Sequence, residues 1–410
     1  MLVTGDQQLL RQINRMVLVR KLLSKSELSR ADLAEAVGLT KSTVSVLVRE
    51  LVDEGWFSES ELVVTGSLGR RPTPLHVDGT RLALLGADLG VDEIRIVATN
   101  LLGEVLEHAV VQYEDVSNVV ACLKLLSKEM VRIARKLTAQ KRSILGVGVG
   151  MHGGVDESAG VLHFAPNLGW KNVNAAAQLN ALFAGSPLAD LPLYVQNEAD
   201  VAALAEFEFS AQSGSDPLIY LSIGYGVGAG VVVRDSLLTG YRGFAGEVGH
   251  TILQAGGPMC SCGRRGCAEA VIGLGNLLGK AGKPVSDRHR ALKTLLEQVH
   301  SGVAAPCHAV GVAGKHLGVL LNNLWVAFDP MRIVLGGPAM RLGDTFLAPA
   351  LAVLQEYSDA AQLPAPPIQT TRYGDDAVAI GAAALVRYHL TRPLSDQNPR
   401  GSVLAPPAKP

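Results

Sequence analysis

Gly246-Glu247-Val248-Gly249-His250, nine residues, then Cys260-Ser261-Cys262-Gly263-Arg264-Arg265-Gly266-Cys267-Ala268-Glu269: this stretch decides how the rest of the chain is read. The protein has five cysteines in 410 residues, and three of them fall within these eight positions. In a chain of this size such clustering points to metal ligation more than to disulfides. Zinc prefers four tetrahedral thiolate and imidazole ligands. Cys260 and Cys262 can supply two thiolates from one tight turn, and Gly263 and Gly266 let the chain curl back to bring in Cys267. His250, the nearest upstream histidine, can complete the set. Three cysteines and one histidine leave no open position, so one structural zinc per chain is expected. The alternative is a group of free or redox-active thiols. Cys122 and Cys307 read as ordinary buried thiols.

Outward from this stretch, residues 82–390 have the texture of α/β structure. Apolar strands at Leu82–Leu89, Ile94–Thr99 and Ile144–Gly150 surround a helix near Val116–Ala139. A second set begins at Leu218–Ile223, continues through a Gly-rich stretch at Gly224–Gly230 to Val231–Val233, and returns at Arg332–Leu335 before Gly336-Gly337. Alternating strands and helices predict largely parallel sheets. The tail, 393–410, is rich in Pro, Ser and Gly and is expected to be disordered.

Residues 1–80 form a different unit. Leu9, Leu10, Ile13, Met16 and Val17 recur at helical spacing, giving a first helix to about Leu23. Ser29 caps a second helix that Gly38 stops, and Thr40 caps a third through Glu54. Two short strands follow, Trp56–Val64 and Pro74–Val77, with a Gly- and Arg-containing loop between them. This is a helix-turn-helix with a wing. In the third helix Val44, Leu47, Val48 and Leu51 share an inward face. Lys41, Ser42, Ser45, Val46 and Arg49 lie opposite, as a helix entering the major groove requires. Arg70 and Arg71 at the wing tip could meet the backbone or minor groove. The head has 10 basic and 10 acidic residues, so any basic face is local.

The whole chain carries a net charge of −1 and is 48% hydrophobic, which excludes disorder and gives no sign of a strongly charged partner. No apolar run approaches the ~20 residues of a membrane span, and the N-terminus lacks a secretory core. A cytoplasmic location without membrane insertion is the expectation.

The opening stretch resembles the signature of the ROK family (repressors, open reading frames and kinases). Other segments extend the resemblance: Gly146–Asp156, Ala165–Trp170, Gln196–Asp200, Gly224–Gly230 and Asp376–Ala383. It implies an actin/hexokinase-like α/β fold of two lobes, preceded here by the α+β winged head. The lobes would span 81–200, completed by a helix at 375–390, and 201–374, which carries the zinc site. It implies that Asn167, Asn197, Glu198, Glu247, His250 and Glu269 hold sugar hydroxyls, with His250 facing both metal and sugar. It also implies a repressor of sugar-utilisation genes, acting on double-stranded operator DNA as a homodimer or dimer of dimers, with a sugar as effector.

Active members of the family carry Asp-x-Gly-Gly-Thr-Lys for ATP phosphates. Here Asp88-Leu89-Gly90-Val91-Asp92-Glu93 stands instead. Two carboxylates facing polyphosphate cost on the order of several kcal/mol. The family's catalytic aspartate falls at Glu198, whose extra methylene displaces the carboxylate by about 1 Å, enough for a loss of about 10²-fold. Tyr225 replaces a small residue of the second phosphate loop. The expectation is a body with no catalytic residues and no ATP, the alternatives being a sugar kinase that also regulates or a body that senses a protein.

Overall fold

In the head, α1 (Gln7–Leu23) buries Met16, Leu18, Val19 and Leu22. A two-residue strand, β1 (Leu28–Ser29), leads directly into α2 (Arg30–Val37). Ser29 and Asp32 form a reciprocal cap: the Asp32 amide donates to Ser29 Oγ at 3.2 Å, and the Ser29 amide donates to Asp32 Oδ2 at 2.9 Å. Gly38 ends the helix at φ 71°, a left-handed conformation that suits glycine. α3 (Lys41–Asp53) follows, with the Thr43 amide donating to the Thr40 side chain. β2 (Phe57–Glu59) and β3 (Pro74–Val77) pair antiparallel, and β1 pairs on the other side of β3. Ser29→Ala is expected to lower the melting free energy of the head by about 1 kcal/mol, measured by chemical denaturation; no change would show that the cap bears no load.

These coordinates come from a computed structural model, which describes residues 7–60, 73–210, 216–241, 243–279 and 285–392. The wing tip with Arg70 and Arg71, the end of the expected strand at Val64, and the 393–410 tail lie outside the described residues.

The first lobe is built on a five-stranded sheet. β4 (Leu82–Leu89) runs antiparallel to β5 (Glu93–Thr99), which pairs with β6 (Val105–Gln112). β6 was not expected from the sequence, because it is an edge strand with exposed positions throughout and no buried run. α4 (Val119–Ala139) starts three residues later than the sequence suggested, since Asn118 takes the cap. β7 (Ser143–Met151) pairs parallel with β4. A small antiparallel sheet, β8 (Gly154–Asp156), β9 (Val161–Ala165) and β10 (Trp170–Asn174), precedes α5 (Ala175–Phe183). β11 (Leu193–Asn197) completes the main sheet in the order β11-β7-β4-β5-β6, and Asn197 caps α6 (Glu198–Glu208).

The second lobe repeats the plan. β12 (Leu218–Ile223), β13 (Val227–Val233) and β14 (Ser236–Leu237) form a meander. The Gly-rich stretch 224–230 is therefore mostly strand; only 224–226 turns, because Gly228 and Gly230 pair with Ser222 and Tyr220. After the short helices α7 (Ala268–Ile272) and α8 (Leu274–Leu277) come α9 (Val285–His300), α10 (Ala304–Phe328), β15 (Arg332–Gly336), α11 (Asp344–Ala361) and β16 (Ile368–Thr370). Helix α12 (Ala377–Thr391) returns to the first lobe and lies on β4 and β7. Gly148 is the condition for that approach: a Cβ there would sit 1.9 Å from the Ala382 carbonyl oxygen. α6 packs along α12 and against β12 and β13, so the two helices fill the space between the sheets. A boundary at residue 200 falls inside α6. Among the described residues no helix is long and apolar enough to cross a membrane.

Candidate functional site

The C-terminal ends of β4, β7 and β11 meet the β12–β13 turn and the segment at 245–250 around one cavity of about 440 Å³. Crevices at strand ends are where α/β folds place ligands. Asn167, Asn197, Glu198, Glu247, His250 and Glu269 all line it. Asn197 is fixed on every side. Its Oδ1 accepts from the Ala199 amide at 2.8 Å, and its Nδ2 donates to the Gly153 carbonyl at 2.9 Å and to Glu198 Oε2 at 2.7 Å. Burial raises the Glu198 carboxyl, opposed by His152, and burial with Glu198 nearby raises Glu247. Asp200, behind them, is pushed well above the usual carboxylate range by burial and then by Glu157, Glu198 and Glu247. A cavity with this many carboxylates and amides can accept and donate to a polyhydroxylated ligand.

His152 also faces this cavity, and the sequence reading did not single it out. Its Nδ1 lies 3.7 Å from Glu198 Oε1, and its Nε2 lies 3.5 Å from Asp88 Oδ1. Burial disfavours the imidazolium, but Glu198, Asp88 and Asp92 outweigh burial and raise His152 to about 9. The only sequence signal is a histidine set between the end of an apolar strand and two glycines.

On the other side of the cavity stand Val91, Asp92, Glu93 and Tyr225. The two acids are less bare than their sequence implies. Glu93 pairs with Arg95, and Asp92 Oδ2 lies 3.9 Å from His289 Nδ1. Burial raises Asp92, while His289 and Arg288 pull it down. The Arg288 guanidinium sits over the Tyr225 ring, 5.4 Å from its centroid. Helix α9 thus brings cations that the local sequence could not reveal.

His250, Cys260, Cys262 and Cys267 bring their ligand atoms within 4.8 Å of one another. Cys262 Sγ lies 3.7 Å from Cys267 Sγ, and Cys260 Sγ lies 3.6 Å from His250 Nδ1. Tetrahedral zinc with Zn–S near 2.3 Å needs sulfur atoms about 3.8 Å apart, so the donor set fits. The other ring nitrogen, Nε2, lies 3.8 Å from Glu247 Oε2 on the cavity side. Glu269 reaches the cluster as well, accepting from Ser261 Oγ at 3.0 Å. Cys122 is buried, whereas Cys307 is only partly buried, because it sits near the start of α10.

In the head, Val44, Leu47, Val48 and Leu51 are buried. Lys41, Ser42, Val46 and Arg49 are exposed, and Ser45 is half-buried with its hydroxyl donating to the Lys41 carbonyl at 2.8 Å. The division of faces on α3 matches a helix that packs on one side and offers polar groups on the other.

A family profile described as "ROK family" matches residues 84–389, and one described as "Winged helix-turn-helix DNA-binding" matches 11–57. The xylose repressor of Caldicellulosiruptor bescii is 32% identical over 93% of this chain and 97% of its own length. A glucokinase of Halalkalibacterium halodurans is 27% identical over 74% of this chain and 94% of its own. The crystal structure of a ROK family transcriptional regulator, described as a homolog of the Escherichia coli MLC protein, superposes with a TM-score of 0.76 at 23% identity, covering 93% of this chain and 97% of the other.

Proposed function

The chain belongs to the ROK family, and from that premise we propose that it is a sugar-responsive repressor of sugar-utilisation genes whose body no longer phosphorylates its ligand. One observation carries this reading: six amide, carboxylate and imidazole side chains of the sugar-binding type surround a single cavity, in a chain that begins with a winged helix-turn-helix. The full-length similarity to a xylose repressor makes D-xylose the first ligand to try. His250, Cys260, Cys262 and Cys267 would hold one structural zinc, which places Glu247 and Glu269 on either side of the sugar. Lys41, Ser42, Ser45, Val46 and Arg49 would face the operator, with Arg70 and Arg71 following the wing. A single head reads few base pairs, so the chain would act as a homodimer or dimer of dimers on a two-fold operator.

What supports the loss of kinase activity in this reading is the set of residues at the expected phosphate and catalytic positions. Val91 stands where active members have a glycine, Tyr225 lies under Arg288, and Glu198, at the position of the catalytic aspartate, is engaged by His152 and Asn197. Calorimetry with D-xylose and a panel of monosaccharides, each with and without ATP, tests both halves. Sugar binding that ATP does not alter is expected; sugar phosphorylation would overturn the non-catalytic reading. For the head, Lys41→Ala and Arg49→Ala are each expected to weaken operator binding by roughly 10-fold and to lower the salt slope by about one. An unchanged slope, measured by fluorescence anisotropy, would remove α3 from the interface.

A further inference from the structure

The cavity and the head lie at opposite ends of the same two helices. α6 starts at the cavity with Asn197 and Glu198 and ends at Glu208. α12 starts beside the cavity with Ala377 and Val378 and ends at Thr391. Their far ends form a cluster of ion pairs. Glu208 accepts from Arg387 Nε at 3.0 Å, and its Oε1 lies 2.6 Å from Arg392 Nη2 in an ion pair. Arg392 also reaches Asp235 Oδ1 at 2.6 Å. The second oxygen of Asp235 accepts from Arg20, near the end of α1.

The position of Asp235 is what matters. It stands on the turn between β13 and β14, in the second lobe. Arg392 follows α12, which lies on the sheet of the first lobe. Arg20 belongs to the head. One carboxylate thus joins head, first lobe and second lobe. The turn is itself pinned, since the Asp235 amide donates to Asp216 Oδ2 at 2.7 Å. In the first half of α1, Arg11 pairs with Glu50 of α3, and at its middle Arg15 pairs with Glu54, which caps the end of α3. A shift of α1 at Arg20 is therefore carried to the helix that presents Lys41 and Arg49.

A buried polar chain ties the cavity to α12 as well. The Asn197 amide donates to Gln196 Oε1 at 2.7 Å, Gln196 Nε2 donates to Glu157 Oε2 at 3.0 Å, and Glu157 Oε1 pairs with His389. Tyr194 stacks on the His389 ring with centroids 4.3 Å apart. Movement at Asn197 thus reaches the same end of α12 that carries Arg392.

We propose that Asp235 is the positioning residue through which the ligand state of the cavity reaches the DNA-binding head. Relative motion of the lobes displaces the β13–β14 turn from Arg392, so Asp235 cannot keep both arginines in place, and α1 shifts with Arg20. The inference rests on the sugar-repressor reading and supplies its regulation. Coupling of this kind needs two arrangements with different contacts for each ligand, and Asp235 provides a contact that differs. Arg20 and Asp235 are 40% and 38% exposed, so replacing them should leave the fold standing.

The test uses the full chain, D-xylose and an operator fragment obtained by in vitro selection. Operator affinity is measured with and without saturating D-xylose for the native chain, Asp235→Asn, Arg20→Gln and the double variant. Lys136→Gln, which breaks the exposed Lys136–Glu107 pair far from the junction, serves as the control. The native chain and the control are expected to change operator affinity by about 5- to 150-fold on binding sugar. Asp235→Asn and Arg20→Gln are each expected to fall below about 3-fold, with the double variant no lower than either single. D-xylose affinity without DNA, from calorimetry, should stay at the native value. A full native response in both single variants overturns the inference. If a variant loses operator binding altogether, Asp235→Glu, which keeps a carboxylate for both Arg20 and Arg392, decides: operator binding with a sugar response supports the inference, and operator binding without one overturns it. A native chain that binds no D-xylose overturns the sugar reading instead, and calorimetry separates that result from lost coupling.

Discussion

Replacing Cys262 by serine, or stripping the metal with a chelator, is expected to bring zinc from about one per chain to near zero and to weaken sugar binding by at least about 100-fold. The reason lies in how little else holds this part of the second lobe. Between His250 and α7 the described backbone has no helix or strand, only the isolated bridges Ile252 with Cys267 and Met259 with Arg265 and turn hydrogen bonds such as the Cys260 amide to the Arg264 carbonyl. His250 closes the short turn that follows Glu247, and Cys267 immediately precedes the helix that carries Glu269. Four ligands on one ion would fix both ends of this segment. Without the ion, three side chains of the cavity lose their anchor at once. Zinc binding in small domains is worth about 10–16 kcal/mol in apparent terms, an upper bound here. The three large apolar clusters do not depend on the segment alone, so the remainder of the chain should keep its circular dichroism. Cys307→Ser is the matching control and should change neither zinc nor sugar binding. A metal-free chain with native sugar affinity would show that the cluster does not shape the cavity.

Asn197→Asp is expected to weaken sugar binding by about 100-fold, or about 2.7 kcal/mol, while leaving the fold and sugar-free operator binding in place. Aspartate keeps the oxygen that caps α6 through the Ala199 amide. It loses the two donations, to the Gly153 carbonyl and to Glu198 Oε2, and sets a second carboxylate against the first. The surroundings are already short of positive charge. Glu198 and Asp200 both stand above the ordinary carboxylate range, held there first by burial. The sign of the pH dependence follows. A carboxyl whose value is raised by its site takes up a proton as pH falls, and the protonated form can donate again. Sugar affinity of the variant should therefore recover toward the native value as pH falls from neutral to mildly acidic, whereas the native amide gains nothing from that proton. Calorimetry at the two pH values reads the difference. An equal loss at both would mean that Asn197 acts by shape and not by donation.

The parts of this protein that the sequence determined are those whose causes lie within a few residues. Ser29, Gly38 and Thr40 set the limits of the head helices because capping is completed inside one turn. The cysteine stretch pointed to a cluster of four metal-ligating side chains because they share two tight turns and one upstream histidine, and the fold brings their ligand atoms together. The strands at Leu82–Leu89 and Leu218–Ile223 were legible because they are buried along their length, whereas β6 was not, being an exposed edge. The six cavity residues were named from resemblance to a family; only the folded chain brings them around one space.

Tertiary structure alone decided the rest. It placed His152 between Asp88 and Glu198 and brought His289 of α9 against Asp92. It also set Arg20 against Asp235 across 215 positions of sequence. Caps and turns are local because a hydrogen bond needs only neighbouring backbone. A charge, by contrast, takes its partner from whichever element packs beside it, and that packing is fixed by the whole core.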